Sequence, residues 1–172
     1  MIPQIKKILY ATDLTKNSAY AFYFAADMAR HHDAQIVILH CIASVPLGLY
    51  SEGGARAEEV MEKVKNRERK DDIAEIKRNL EQFCEGAESQ SGLQCVSLVS
   101  AVIVKEGDAV EEILNTAGEE GCDVIVLGTH GRGWLSQTFL GSVARSVLER
   151  TRKPTFLIPL PSGKAGIDWG AL

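Results

Sequence analysis

The chain has 172 residues, 45% hydrophobic and 24% charged, which suits one soluble domain with a full core and leaves little room for a second. A formal net charge of -4 argues against a nucleic-acid-binding surface, and no apolar run approaches the roughly 20 residues of a membrane span. Cys41, Cys84, Cys95 and Cys122 form no C-x-x-C pair and read as reduced, mostly buried thiols; with an N-terminus lacking a secretory signal core, they lead to the expectation of a cytoplasmic protein with no membrane partner.

The apolar run IKKILYA (5–11) ends at Thr12-Asp13 and predicts a buried strand. Residues 17–32 carry Ala21, Phe24, Ala25, Met28 and Ala29 at helical spacing, and QIVILHCI (35–42) is a second buried strand, so the chain opens as βαβ. Residues 44–54, with Pro46, Gly48, Gly53 and Gly54, read as a loop. A polar segment follows, with Val60, Met61 and Val64 in one apolar patch and Ile73, Ile76, Leu80 and Phe83 in another. The charge run KNRERKDD (65–72) between them reads as a solvated helix face, with a partner-docking element as the alternative. One helix over 55–85 would span roughly 45 Å against about 20 Å for a strand, so 44–72 is expected to be a loop and polar insertion whose helical part protrudes, breaks or moves.

Residues 95–107 predict a third strand, and Asp108 with Glu111 predicts a capped helix to about residue 119. CDVIVLG (122–128) is a fourth strand, 142–150 a helix, and PTFLIPL (154–160) a fifth strand. Five β-rich runs alternating with helices predict an open parallel α/β sheet with helices on both faces. The domain covers 1–161, and 162–172 is a tail in which Trp169 is a candidate docking point.

Between the fourth strand and the last helix runs GTHGRGWLSQTFLGS, with Gly128, Gly131, Gly133 and Gly141. Glycines there permit backbone conformations and close ligand approach that side chains forbid. In open α/β sheets ligands bind beyond the carboxyl ends of strands where the winding reverses, which places this loop beside Ala11-Thr12-Asp13 if strands one and four are neighbours. Ser142 would then start a helix whose free N–H groups and dipole favour phosphate.

The spacing G-x-x-G, nine residues, then G-S, here Gly128, Gly131, Gly141 and Ser142, resembles the ATP-binding signature of the universal stress protein superfamily. The resemblance extends through ILYATDLT, VILHCI, VKEGDAVEEIL and KPTFLIP, nearly the whole chain. It implies a Rossmann-like fold of the adenine nucleotide α-hydrolase type, sheet order 3-2-1-4-5, with ATP between strands one and four and Mg²⁺ or Mn²⁺ bridging its phosphates. By the same resemblance Ala11, Thr12 and Asp13 contact adenosine. Ala11 stands where many relatives carry proline, and Cys41 stands where relatives place an aliphatic residue against adenine. The phosphate loop falls on Gly128, Thr129, His130, Gly131, Arg132, Gly133 and Trp134, and the helix start on Gly141, Ser142, Val143 and Ala144. Relatives also pair the last strand, 154–160 here, across a two-fold axis, which implies a homodimer.

Several of these residues carry a second reading. Asp13 suits both ligand contact and capping of the following helix. His130 stands without a second ligand or base at suitable spacing, so neither a catalytic residue nor a protein metal site is expected. Arg132 either pairs with phosphate oxygens or points to solvent, and Trp134 is a packing residue or lid. No G-x-x-x-x-G-K-[ST] loop is present, so a nucleotide-responsive regulatory protein with unidentified protein partners leads. A slow ATPase or other ATP-using enzyme, and a nucleotide-free dimeric scaffold, are the alternatives.

Overall fold

A computed structural model describes residues 2–43, 55–92, 94–129 and 140–159. Its strands are β1 (Lys7–Thr12), β2 (Gln35–Ile42), β3 (Val99–Glu106), β4 (Val124–Gly128) and β5 (Thr155–Ile158). Its helices are α1 (Lys16–His32), α2 (Ala55–Ser91), α3 (Cys95–Leu98), α4 (Ala109–Glu119) and α5 (Ser142–Arg150). All strand pairs are parallel, in the order β3-β2-β1-β4-β5. Residues 44–54, the end of the expected last strand at Leu160, and the tail 162–172 with Trp169 lie outside the described residues.

Continuous apolar strands are what a sheet covered on both faces demands, because successive side chains point to opposite sides. Ile8 and Tyr10 of β1, Ile36 and Ile38 of β2, and Val124 and Val126 of β4 enter one core with α1, α2 and α3. Their alternates, Leu9 and Ala11, Val37 and Leu39, and Ile125 and Leu127, enter the other with α4 and α5. In α1 the sheet-facing stripe includes Ala21, Ala25 and Ala29, small side chains that let the helix settle closely on the strands.

The polar segment is one unbroken helix. At 1.5 Å per residue, the 37 residues of α2 span roughly 55 Å. It docks through its C-terminal half, where Ile76, Leu80, Phe83, Cys84 and Ala87 share a face and the Phe83 ring meets Phe22 edge-on at 5.3 Å. Residues 55–72, expected as loop and polar insertion, are therefore helical, and of the expected protrusion, break or motion the break is absent.

The third strand begins four residues later than its apolar run. Ile36, near the start of β2, pairs with Val99, so earlier residues have no neighbouring strand, and Cys95–Leu98 closes a helical turn that buries Cys95. A register shift between Ile36 and Val37 passes over Ser100, whose hydroxyl donates to the Ile36 carbonyl at 3.2 Å. Such a bulge adds one residue to a single strand.

Entry to β1 and β4 is tied by Asp123. Its Oδ2 accepts from the Lys6 N–H at 2.7 Å and the Lys7 N–H at 2.9 Å, while its own N–H donates to the Lys7 carbonyl at 2.7 Å. Hydrogen bonds to a charged acceptor are the stronger class, so Asp123→Ala is expected to lower unfolding free energy by about 2 kcal/mol in urea denaturation. A loss below about 0.5 kcal/mol, the range of ordinary surface substitutions, would show that the main-chain ladder alone sets this register.

Candidate functional site

The sheet order reverses between β1 and β4: the chain moves outward through β2 and β3 on one side, then returns to β4 and β5 on the other. The carboxyl ends of these two strands therefore open on the crevice that α/β sheets use for ligands. Asp13 follows the end of β1. Its Oδ1 accepts from the Thr15 N–H at 3.1 Å and the Thr15 hydroxyl at 2.6 Å, whereas Oδ2 is buried without a hydrogen-bond partner among the described residues. A buried carboxylate oxygen left bare is costly unless something else supplies a donor.

A chain of hydroxyl groups sets the Asp13 loop. The Leu14 N–H donates to Thr12 Oγ1, Thr12 Oγ1 to Ser18 Oγ at 2.9 Å, and Ser18 Oγ to the Thr15 carbonyl at 2.8 Å. Beneath it the Tyr10 hydroxyl donates to the Ser18 carbonyl. Burial pushes the Tyr10 phenol well above its usual range, so it remains a donor. Leu14 adopts φ 65°, a left-handed conformation a leucine rarely takes, at the turn between strand and helix. The N-cap of α1 is Thr15, whose hydroxyl accepts from Ser18 N–H at 3.4 Å. Asp13 orients that cap and is not the cap itself.

Across the crevice, β4 ends at Gly128 and α5 begins at Ser142. The Thr129 N–H donates to the Ile158 carbonyl at 3.1 Å, and the Gly141 N–H donates to the Thr129 carbonyl at 2.8 Å, so the two flanks of the glycine stretch close on each other. Thr15 and Asp108 cap α1 and α4, but among the described residues no side chain caps α5. Its first N–H groups, at Ser142, Val143 and Ala144, carry the positive end of the helix dipole.

Cys41 lies near the end of β2, in register with Lys105 of β3, and is half-buried toward α4. Burial, with Glu112 adding to it and Lys105 opposing, pushes its thiol from 9.0 to about 11. Lys105 forms ion pairs with Glu119 at 2.7 Å and Glu112 at 3.5 Å, which close this side of the strand ends.

The structure thus brings Ala11, Thr12, Asp13, Cys41, Gly128, Thr129, Gly141, Ser142, Val143 and Ala144 to the carboxyl ends of the strands and the start of α5. The side chains of Ala11 and Ala144 are buried in the α4–α5 core. His130, Gly131, Arg132, Gly133 and Trp134 lie outside the described residues. Among the described residues no group of three or more His, Cys, Asp or Glu is arranged to hold a metal. Sequence reasoning missed Tyr10, Ser18 and His40, the polar groups beneath the Asp13 loop. Their signals were a Thr-x-x-Ser spacing at the helix start and a lone histidine in an apolar strand.

Residues 4–159 match the family model described as the universal stress protein family. The chain is 28% identical over 166 residues to universal stress protein MJ0577 of Methanocaldococcus jannaschii, covering 89% of this chain and 94% of that one. The solved structure of MJ0577 superposes with a TM-score of 0.69 at 25% identity, covering 94% and 100% of the two chains. A universal stress protein solved in complex with cAMP has the same fold, with a TM-score of 0.58 at 17% identity, covering 92% and 100%.

Burial likewise raises Cys122 to about 11 and Cys84 to about 12. The folded state therefore keeps these protons after the unfolded chain releases them near 9.0. Their contribution is complete below that pH and is lost as pH rises toward about 11 for Cys41 and Cys122 and about 12 for Cys84. Urea midpoints are expected to fall steadily above pH 9, with a shallower fall in Cys122→Ala; equal slopes in the two proteins would contradict this.

Proposed function

This chain belongs to the universal stress protein family, and we propose that within it the protein binds ATP at the β1–β4 crevice and acts as a nucleotide-responsive regulatory protein of the cytoplasm. The observation that carries this reading is Asp13: a carboxylate with one oxygen held by Thr15 and the other buried and bare at the carboxyl end of β1. A nucleoside supplies the missing donor. The uncapped start of α5 takes the phosphates through main-chain N–H groups, and Gly141 leaves that approach clear of a side chain. The relative solved with cAMP, an adenine nucleotide, supports a nucleotide over other anions.

Magnitudes indicate what else is required. Charge-assisted hydrogen bonds of about 1.5 to 3 kcal/mol each compete with an association cost of about 4 to 15 kcal/mol. The phosphate cradle alone is marginal, so burial of adenine beside Cys41 and the Ala11–Asp13 main chain supplies the remainder. Mg²⁺ or Mn²⁺ fits the site as a cation carried by the nucleotide, held by phosphate oxygens and water, because the described residues form no cage of their own. It neutralises phosphate charge there. Binding is the function proposed: the sequence has no Walker-type lysine loop, and the groups at the strand ends are hydrogen-bonding groups suited to holding a ligand.

We also propose a homodimer through β5. Among the described residues that strand pairs with β4 alone, which leaves its other edge without a neighbouring strand. Phe156 on the edge strand is 45% exposed, and Leu148 and Val143 of α5 are 42% and 36% exposed. An apolar edge of this kind is a liability unless a second chain covers it. Sedimentation is expected to give a dimer that Phe156→Asp converts to monomer with the fold retained. A monomeric parent would refute the pairing.

Calorimetric titration with ATP and Mg²⁺ is expected to give a micromolar Kd, and Gly141→Glu, which adds a carboxylate at the phosphate approach, to abolish it. An absence of binding in the parent would leave the scaffold reading in its place.

A further inference from the structure

Thr12 and His40 are paired across β1 and β2, and His40 is 6% exposed. Its Nδ1 lies 2.8 Å from the Thr12 carbonyl oxygen. A carbonyl only accepts, so Nδ1 carries the proton and donates. The Thr12 carbonyl belongs to the same rigid peptide unit as the Asp13 N–H, and the described chain has no cis peptide bond. In a trans unit the two groups point in opposite directions. Holding the carbonyl toward His40 therefore turns the Asp13 N–H away from β2, and β4 is the strand on the other side of β1.

We infer that His40 is a positioning residue for the nucleotide site: its bond to the Thr12 carbonyl sets the Thr12–Asp13 peptide so that Asp13 offers a main-chain donor beside its bare Oδ2 acceptor. The inference rests on the nucleotide reading given above. It assigns a role to a buried histidine that makes no direct claim on the ligand. The hydroxyl chain through Thr12, Ser18 and Thr15 holds the Asp13 side chain, and His40 holds the adjoining main chain. Both supports are needed, because a carboxylate can be oriented while the peptide preceding it still rotates.

The test is titration of the full chain with ATP and Mg²⁺ for the parent, His40→Leu, His40→Asn, Asp13→Ala and the Asp13→Ala/His40→Leu double variant, with thermal midpoints and the ¹⁵N–¹H signal of the Asp13 amide recorded for each. Leucine keeps the bulk and removes the donor, whereas asparagine places an amide N–H near the position of Nδ1. His40→Leu is expected to weaken ATP binding roughly tenfold and to shift the Asp13 amide, the change one lost hydrogen bond of about 1.4 kcal/mol produces. His40→Asn is expected to restore both. The double variant is expected to bind more weakly than Asp13→Ala, since Asp13→Ala removes the carboxylate and leaves the main-chain N–H that His40 sets. Binding in His40→Leu within about twofold of the parent, or a double variant that binds no more weakly than Asp13→Ala, would overturn the inference, as would a lowered thermal midpoint with the affinity intact. If the parent itself binds no ATP, the nucleotide reading fails. The Asp13 amide then judges the positioning separately, and a signal unmoved by His40→Leu overturns it. Should His40→Leu not fold, His40→Gln, whose donor lies one bond farther out, takes its place with the same expected losses.

Discussion

Burial of the sheet on both faces is the constraint on which the remaining architecture depends. Ile8 and Tyr10 face one core while Leu9 and Ala11 face the other, and the same alternation runs through β2 and β4. Strands buried in this way have no exposed face on which to carry polar chemistry. It is displaced to the strand ends, where the ladder stops and main-chain groups lose their partners. At the amino ends Asp123 supplies acceptors for Lys6 and Lys7 and closes that side. At the carboxyl ends of β1 and β4 the neighbouring connections diverge, and the groups stay open to a ligand.

The Asp13 loop joins the core on the α1 side of the sheet to the candidate site. Tyr10 is a core residue whose hydroxyl reaches the Ser18 carbonyl, and Ser18 in turn takes part in the hydroxyl chain that fixes Thr12 and Thr15. Packing in the α1 layer therefore sets the orientation of Asp13, and the left-handed Leu14 lies inside that network. A backbone conformation that costs about 1 kcal/mol or more persists where surrounding bonds determine it, which is a common arrangement at ligand sites. The other half of the candidate site is built differently: Gly141 ties α5 to Thr129 through the main chain, and among the described residues no side chain caps the helix start.

Much of this was legible in the sequence because the signals were local and strong. The apolar runs of β1, β2 and β4, the helical spacing of α1 and the Asp108 cap of α4 each arise within a few residues. The glycine and Gly-Ser spacing was legible for the same reason. Other features were hidden. Residues 95–98 are apolar enough for a strand, but the start of β2 decides where β3 can begin, and β2 lies about 60 residues away. The long polar helix carries too few apolar residues in its first half to declare itself, although its second half docks on Leu80, Cys84 and Ala87. Asp13 was identified as both a ligand contact and a cap, and only the path of the chain showed Thr15 doing the capping.

The sequence by itself determined most of the element types, the family and the two segments placed at the candidate site, because periodicity, turn chemistry and spacing are properties of neighbouring residues. The family resemblance had also implied the sheet order that the structure shows, whereas tertiary structure alone decided the strand register, the makeup of the two cores and the polar network under Asp13. Those depend on contacts between residues such as Thr12 and His40, or Lys7 and Asp123, that lie far apart in the chain. No local pattern encodes which buried polar group will find which partner. That choice is made when the strands come into register and each carbonyl and N–H is either satisfied or left for a ligand.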